Sequence, residues 1–104
     1  MVIYEVNLAI ERSVYSQFQI WLKVHAKEIL QFPGFISVHI LKPENEPASA
    51  QEKLTVQYQL EDRESLDVYF TRFAEKIREE AVSRFQDKFS VERRVFDVQE
   101  YILK

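Results

Sequence analysis

Two histidines could transfer a proton near neutral pH, and they occur in different settings. His39 shares a strand face with Ser37, where it could act as a general base or bind a ligand carboxylate, although any polar residue near a sheet edge fits the same pattern. His25 lies in an apolar helical stripe, one turn after Trp21. That setting is typical of a neutral core histidine that donates one hydrogen bond, but it also fits a site at the end of the core. His39 is therefore the first candidate for a catalytic or binding role.

Ligands for a metal ion or a phosphate are scarce in this chain. Glu28 follows His25 by three residues, but two isolated histidines and no cysteine make a weak ligand set. The lack of cysteine also excludes disulfides and a cysteine nucleophile, and the single glycine excludes the usual phosphate-binding loop. The sequence therefore predicts no metal ion and no cofactor.

The elements that must position these residues form two strand–helix–strand units, over 2–41 and 53–98. Strands are predicted where side chains alternate with period two, over 2–10, 35–41, 53–60 and 91–98. Phe35 is predicted to share a face with Ser37 and His39, and Phe96 to face the helices.

Two amphipathic helices separate the strands. The first has Ser13 as its predicted N-cap and ends at Pro33 and Gly34, and the second has Ser65 as its N-cap and continues to near residue 85. Residues 42–52 are predicted to form an exposed hairpin loop. The apolar tail, 99–104, is predicted to pack on the body or on a partner subunit.

This order predicts an α+β fold, the ferredoxin-like βαββαβ domain, with two helices on one face of a four-stranded antiparallel sheet. Residues 1–104 form one domain, and 46% hydrophobic with 30% charged residues is an ordinary globular composition. No stretch approaches the roughly 20 apolar residues of a membrane span. No signal peptide is recognisable, so we expect a cytoplasmic protein. The net charge of −3 argues against nucleic-acid binding.

The face of the sheet turned away from the helices mixes apolar with hydrogen-bonding residues. The first strand is expected between the third and fourth, so Glu5 neighbours Gln57 on one side and Arg93 on the other, while Arg94 points toward the helices. Glu5 and Arg93 could hold a small polar ligand, or form a buried ion pair that fixes strand register. The residues predicted to bind a ligand on this face are Glu5, Asn7, His39, Gln57 and Arg93.

A mixed face of this kind is typical of a surface that a second subunit covers. Two such sheets packed face to face about a two-fold axis form a dimeric α/β barrel. The space between them could hold a small molecule, or the same side chains could fill a plain dimer interface.

Five short motifs follow one another along the chain in a recognisable order. They are YEV at 4–6, WLKVH at 21–25, FPGF at 32–35, VQYQL at 56–60 and FSVERRV at 89–95. In this order they resemble a bacterial family of short single-domain proteins of unknown function, DUF4286, in the dimeric α/β-barrel superfamily. The resemblance implies the fold and a homodimer, and it implies no activity.

Three functions agree with these observations, and whether the protein is an enzyme stays open. The preferred one is a non-catalytic homodimer that binds a small metabolite or a partner protein between the two sheets. The second is a cofactor-independent, monooxygenase-like enzyme acting on a small aromatic or polyketide-like compound, in which His39, Glu5 and Arg93 bind the substrate. The third is an accessory subunit whose tail, 101–103, docks on another protein.

Overall fold

The computed structural model describes residues 1–44 and 49–104. Its elements are β1 (Val2–Glu11), α1 (Tyr15–Ile29), β2 (Phe35–Leu41), β3 (Gln51–Leu60), α2 (Arg63–Arg72), α3 (Ala74–Phe85) and β4 (Phe89–Asp97), with a 3-10 turn at Arg12–Val14. The strands pair antiparallel in the order β2-β3-β1-β4. This confirms the α+β, ferredoxin-like fold and the place of the first strand between the third and fourth.

The helices cover one face of the sheet, which we call the covered face; the other is the open face. Alternation along β1 and β3 turns one row of apolar side chains from each strand onto the covered face. The buried side chains there are Val2, Tyr4, Leu8, Ile10, Leu54, Val56, Tyr58 and Leu60. Helix α1 packs Phe18, Leu22, Ala26 and Ile29 against them. Each large apolar side chain buried this way contributes roughly 1.5–3 kcal/mol.

The helix starts differ from the predicted caps. Ser13 lies in the 3-10 turn, and α1 begins after Val14 without a side-chain cap. Asp62 rather than Ser65 caps α2, because its carboxylate accepts a hydrogen bond of 2.8 Å from the backbone N–H of Ser65. The second unit contains two helices rather than one, since the backbone leaves helical geometry at Phe73.

A β-bulge corrects the predicted facing of β2. The register with β3 shifts between Phe35 and Ser37, so Ile36 is the extra residue and is half exposed. Phe35 therefore turns onto the covered face, where its ring lies 5.8 Å from that of Tyr58. Gly34 precedes this strand with a φ of +84°, a backbone conformation that favours glycine. A Cβ at this position would overlap the side chain of Ser65 in the first turn of α2.

The predicted loop and tail are only partly described. Within 42–52, residues 45–48 lie outside the described residues, and β3 already begins at Gln51. After β4, the backbone N–H of Val98 donates to the carbonyl of Met1 at 3.0 Å. Beyond it the side chains of residues 101–103 are about three-quarters exposed, so their own chain does not bury them. In the described part of the chain, no helix has the length and apolar character that crossing a membrane requires.

Candidate functional site

A row of four polar residues, one from each strand, crosses the open face. Its members are Arg94 of β4, Glu5 of β1, Gln57 of β3 and His39 of β2. The prediction that Arg93 pairs with Glu5 is wrong, because the register places Arg94 opposite Glu5 and turns Arg93 to the covered face.

Glu5 is the centre of a hydrogen-bond network on this face and is only 5% exposed. Its Oε2 accepts from the side-chain amide of Asn7 at 3.0 Å and from Nε of Arg94 at 2.9 Å, while its Oε1 accepts from the amide of Gln57 at 2.9 Å. The carbonyl oxygen of the Asn7 side chain accepts in turn from the hydroxyl of Thr55 at 2.8 Å. The alternation and register of three strands thus bring five side chains into one network of four hydrogen bonds.

The network stabilises the charged form of Glu5. Hydrogen bonds from Asn7 and Gln57, and then the bond and positive charge of Arg94, lower the pKa of Glu5 against the opposing effect of burial. Arg94 Nη2 lies 2.7 Å from Oε2, and the arginine side chain itself is 64% exposed. The carboxylate is therefore ionised at neutral pH and already occupied, which leaves it little capacity to bind a further ligand.

His39 stands at the end of this row, on the edge strand, and its side chain is exposed. Its imidazole makes no hydrogen bond with another described residue. The polar row is flanked by exposed apolar side chains, with Leu41 42% and Phe96 40% exposed. The open face of a single chain therefore combines a satisfied polar centre with an unburied apolar rim.

Arg93 contributes to a different site, a cavity of about 70 Å³ between the sheet and the helices. Its Nε donates to the hydroxyl of Tyr4 at 3.1 Å. The wall is formed by β1, β3 and β4 together with all three helices. Its hydrogen-bonding or aromatic residues include Tyr4, Trp21, His25, Tyr58, Tyr69, Arg78 and Arg93.

Two tyrosine hydroxyls in this wall lack partners. Tyr58 and Tyr69 are each 3% exposed, and neither hydroxyl makes a hydrogen bond with another described residue. Burial raises the pKa of both phenols, and the positive charges of Arg78 and Arg93 act against that rise at Tyr69. Both hydroxyls therefore remain protonated donors, and that of Tyr69 lies in the field of two guanidinium groups.

His25 stacks on Trp21 at the cavity wall, with ring centres 4.3 Å apart. It is 7% exposed, and its buried Nδ1 has no hydrogen-bond partner among the described residues, so the hydrogen bond expected of a core histidine is not made at that atom. Burial lowers the pKa of His25, and the nearby charges of Glu80 and Glu28 oppose that shift. The imidazole is therefore neutral and able to accept a proton or a metal ion.

The sequence pointed to the open face and missed the cavity. The alternation along the first and third strands places Tyr4 and Tyr58 toward the helices, and a hydroxyl at such a position is a signal, because a buried polar group needs a partner. The contributions of Tyr69 and Arg78 depend on how α2 and α3 close over the sheet, which no local pattern encodes.

Solved structures with the same architecture include oxygenases. A candidate antibiotic biosynthesis monooxygenase of Deinococcus radiodurans gives a TM-score of 0.78 at 11% identity, covering 100% of this chain and 98% of its own. SnoaB, a cofactor-independent oxygenase of Streptomyces nogalater, gives 0.73 at 12% identity, covering 99% and 98%. A conserved protein of Methanosarcina mazei Go1 gives 0.66 at 22% identity, covering 92% and 91%. These likenesses show the fold, the α+β ferredoxin-like architecture, and nothing further.

The family is defined by sequence. The model of a domain of unknown function, DUF4286, matches residues 1–99, so the chain belongs to this family, as the motif order indicated. No curated protein matches the sequence.

Proposed function

We propose that this protein is a homodimer that binds one small aromatic molecule per chain, in the cavity between the sheet and the helices. A phenol or an aromatic carboxylate suits this cavity. The observation that carries the proposal is the pair of hydroxyls of Tyr58 and Tyr69, without a hydrogen-bond partner among the described residues, in an aromatic wall that also includes Arg78 and Arg93. Apolar walls with a few placed polar groups are typical of small-molecule sites.

The aromatic and polar side chains in the cavity wall indicate which class of ligand would bind there. An aromatic ring would stack among the side chains of Trp21, Tyr4 and Tyr58, where ring pairs contribute about 0.5–1.5 kcal/mol beyond area burial. An anionic oxygen would take hydrogen bonds from the tyrosine hydroxyls and charge from Arg93. A charge-assisted bond of this kind contributes about 1.5–3 kcal/mol.

Ligand entry requires the cavity to widen. Its volume, about 70 Å³, is less than half of the roughly 150 Å³ that holds benzene in an engineered protein cavity. The wall formed by α3 is the part that can move, because only Ala74, Ala81 and Phe85 of this helix are buried and the backbone breaks at Phe73 before it.

Trp21 supplies the test of ligand binding. It is the single tryptophan in the sequence and lies in the cavity wall, so its fluorescence reports on the site. Titration with benzoate and with phenol should change the emission saturably, and cyclohexanecarboxylate should bind more weakly. Arg93→Gln should weaken benzoate binding roughly tenfold. The matched control is Arg94→Gln, the neighbouring arginine on the open face, which should bind benzoate normally.

Two results would reject this assignment. One is a failure of every aromatic probe to produce a saturable change. The other is loss of benzoate binding in Gln57→Leu or His39→Ala with normal binding in Arg93→Gln, which would place the ligand on the open face, as the sequence analysis predicted.

The dimer proposal uses the open face as the interface. The rim residues Leu41 and Phe96 and the exposed tail, 101–103, would be covered by the second copy, and the network around Glu5 would lie at its centre. Light scattering should give twice the chain mass. Phe96→Asp should give a folded monomer, whereas Val82→Asp, at an apolar residue of α3 that is 55% exposed against 40% for Phe96, should remain a dimer. A monomeric wild-type protein would contradict the proposal.

A cofactor-independent oxygenase is the second candidate function. The observation that favours it is the neutral, buried His25 at the cavity, which could take a proton from a phenolic substrate, in a fold shared with an oxygenase of that kind. The substrate itself would supply the electrons: a CH₂ group and O₂ give a C=O group and water, with no added reductant. Oxygen uptake with a phenolic polycyclic ketone, lost in His25→Gln and retained in His39→Ala, would support it. Absence of oxygen uptake by the wild-type protein would rule out this candidate function.

The cytoplasmic location and a protein partner for the tail remain predictions.

A further inference from the structure

Three potential metal ligands meet where α1 approaches α3, beside Trp21 in the cavity wall. Glu28 follows His25 by one turn on α1, and Glu80 comes from α3. One ring nitrogen of His25 and one carboxylate oxygen of each glutamate all lie within 4.8 Å of one another. The fold thus adds a third ligand, Glu80, that sequence spacing around His25 could not supply.

The state of these side chains points to a ligand that they share. His25 is only 7% exposed, yet its Nδ1 has no hydrogen-bond partner among the described residues. Leaving a buried polar atom without a hydrogen bond is costly. Glu28 and Glu80 are exposed, and neither makes an ion pair with a residue in the described ranges. Two carboxylates therefore lie within 4.8 Å of each other and of a ring nitrogen of His25, and no cation among the described residues forms an ion pair with either carboxylate.

We propose that His25, Glu28 and Glu80 bind one divalent transition-metal ion of the Zn²⁺ type. One imidazole and two carboxylates suit Zn²⁺, Mn²⁺, Fe²⁺ or Co²⁺, whereas Mg²⁺ prefers oxygen ligands and retains its waters. The inference goes beyond the proposed function and departs from the expectation of a chain without metal. It does not require that an aromatic ligand binds.

The geometry needs a small contraction. Ligands about 2.1 Å from a tetrahedral metal ion lie about 3.4 Å apart, so the three atoms must approach one another by roughly 1 Å. Both glutamates are exposed and can change rotamer, while His25 is held by its stack on Trp21. The bound ion would join α1 to the lightly packed α3, and a water would complete the tetrahedron.

The test uses tag-free protein, stripped with a chelator and then dialysed. Zn²⁺ titrated calorimetrically should bind once per chain, Co²⁺ should give the visible absorption of a tetrahedral site, and either ion should raise the melting temperature. Glu80→Gln should reduce Zn²⁺ affinity at least tenfold. The control is Glu79→Gln, the adjacent residue on α3, which carries the same charge change and should bind Zn²⁺ normally. His25→Gln should abolish the Co²⁺ spectrum.

The contrary outcomes are specific. The site does not exist if Zn²⁺ fails to bind at one ion per chain, if Glu79→Gln weakens it as much as Glu80→Gln does, or if Mg²⁺ binds equally well. The benzoate titration is run separately with chelator present, so failure of the metal site and failure of the aromatic site are distinguished.

Discussion

On the open face of the sheet Glu5 accepts hydrogen bonds from three side chains, whereas on the covered face the hydroxyls of Tyr58 and Tyr69 make none with any described residue. Glu5 of β1 and Tyr58 of β3 stand on adjacent strands, and Tyr69 comes from α2. All three side chains are buried to a similar degree. Polar groups that satisfy one another fix register and shape, while unpartnered ones around a cavity are available to a ligand. The difference therefore favours a structural role for the polar groups of the open face and supports the proposed binding site on the covered face.

The largest expected effect comes from the covered face itself. Phe18 is 1% exposed, and its ring lies 4.7 Å from that of Phe85 and 5.4 Å from that of Phe89. Phe18→Ala should lower the free energy of unfolding by about 3–5 kcal/mol, because a large buried side chain leaves a cavity. Ile20→Ala, at a 71% exposed residue of the same helix, should change it by less than about 0.5 kcal/mol. Urea denaturation at fixed protein concentration measures both, and similar losses would show that α1 does not pack as described.

Glu5→Gln tests the open face. The variant keeps the shape of the side chain but loses the charge that Arg94 and two amides bind, so we expect a loss of about 1–3 kcal/mol in the free energy of unfolding. Glu11→Gln, at the exposed end of the same strand, makes the same chemical change without these contacts and should be nearly neutral. A neutral Glu5→Gln would mean that the network contributes nothing to stability.

Much of the fold was predictable because it depends on local patterns. The alternation over β1 and β3 is unbroken, so strand identity, facing and the neighbour pair Glu5–Gln57 followed directly from the sequence. The facing predicted for β4, with Phe96 toward the helices, is wrong. The strand begins at Phe89, two residues before its predicted start, and Phe89 and Val91 face the helices. Phe96 therefore faces the opposite side of the sheet. With that phase Arg94, not Arg93, meets Glu5.

The candidate sites were less predictable because they depend on tertiary contacts. The bulge that turns Phe35 inward inserts one residue that no propensity marks. The break at Phe73 decides where α3 lies, and therefore which of its residues reach the cavity and His25. Sequence spacing showed Glu28 near His25, but only the packing of α3 against α1 brings Glu80 to the same place.

The pH dependence of stability should separate Glu5 from the other acids. Its folded pKa is lowered from the ordinary value of 4.5, so the network stabilises the protein fully above that pH and the contribution is lost as pH falls through the folded pKa. Wild type should therefore lose its advantage over Glu5→Gln on acidification below pH 4.5. Asp62 and Glu52, whose pKa values are also lowered, are present in both proteins and cancel. A difference that stays constant with pH would show that Glu5 is not charged in the network.

The smallest expected effect contrasts one hydroxyl from each face. Thr55→Val removes the donor that bonds the side-chain carbonyl of Asn7 at 2.8 Å, and should lower the free energy of unfolding by about 0.5–1.5 kcal/mol. Tyr58→Phe removes a hydroxyl that has no hydrogen-bond partner in the described part of the chain. It should change stability by less than about 0.5 kcal/mol, while weakening benzoate binding in the fluorescence titration. If Tyr58→Phe costs as much stability as Thr55→Val and leaves benzoate binding intact, the hydroxyl has a structural role. The two faces would then handle their polar groups alike, and the assignment of binding to the covered face would lose its basis.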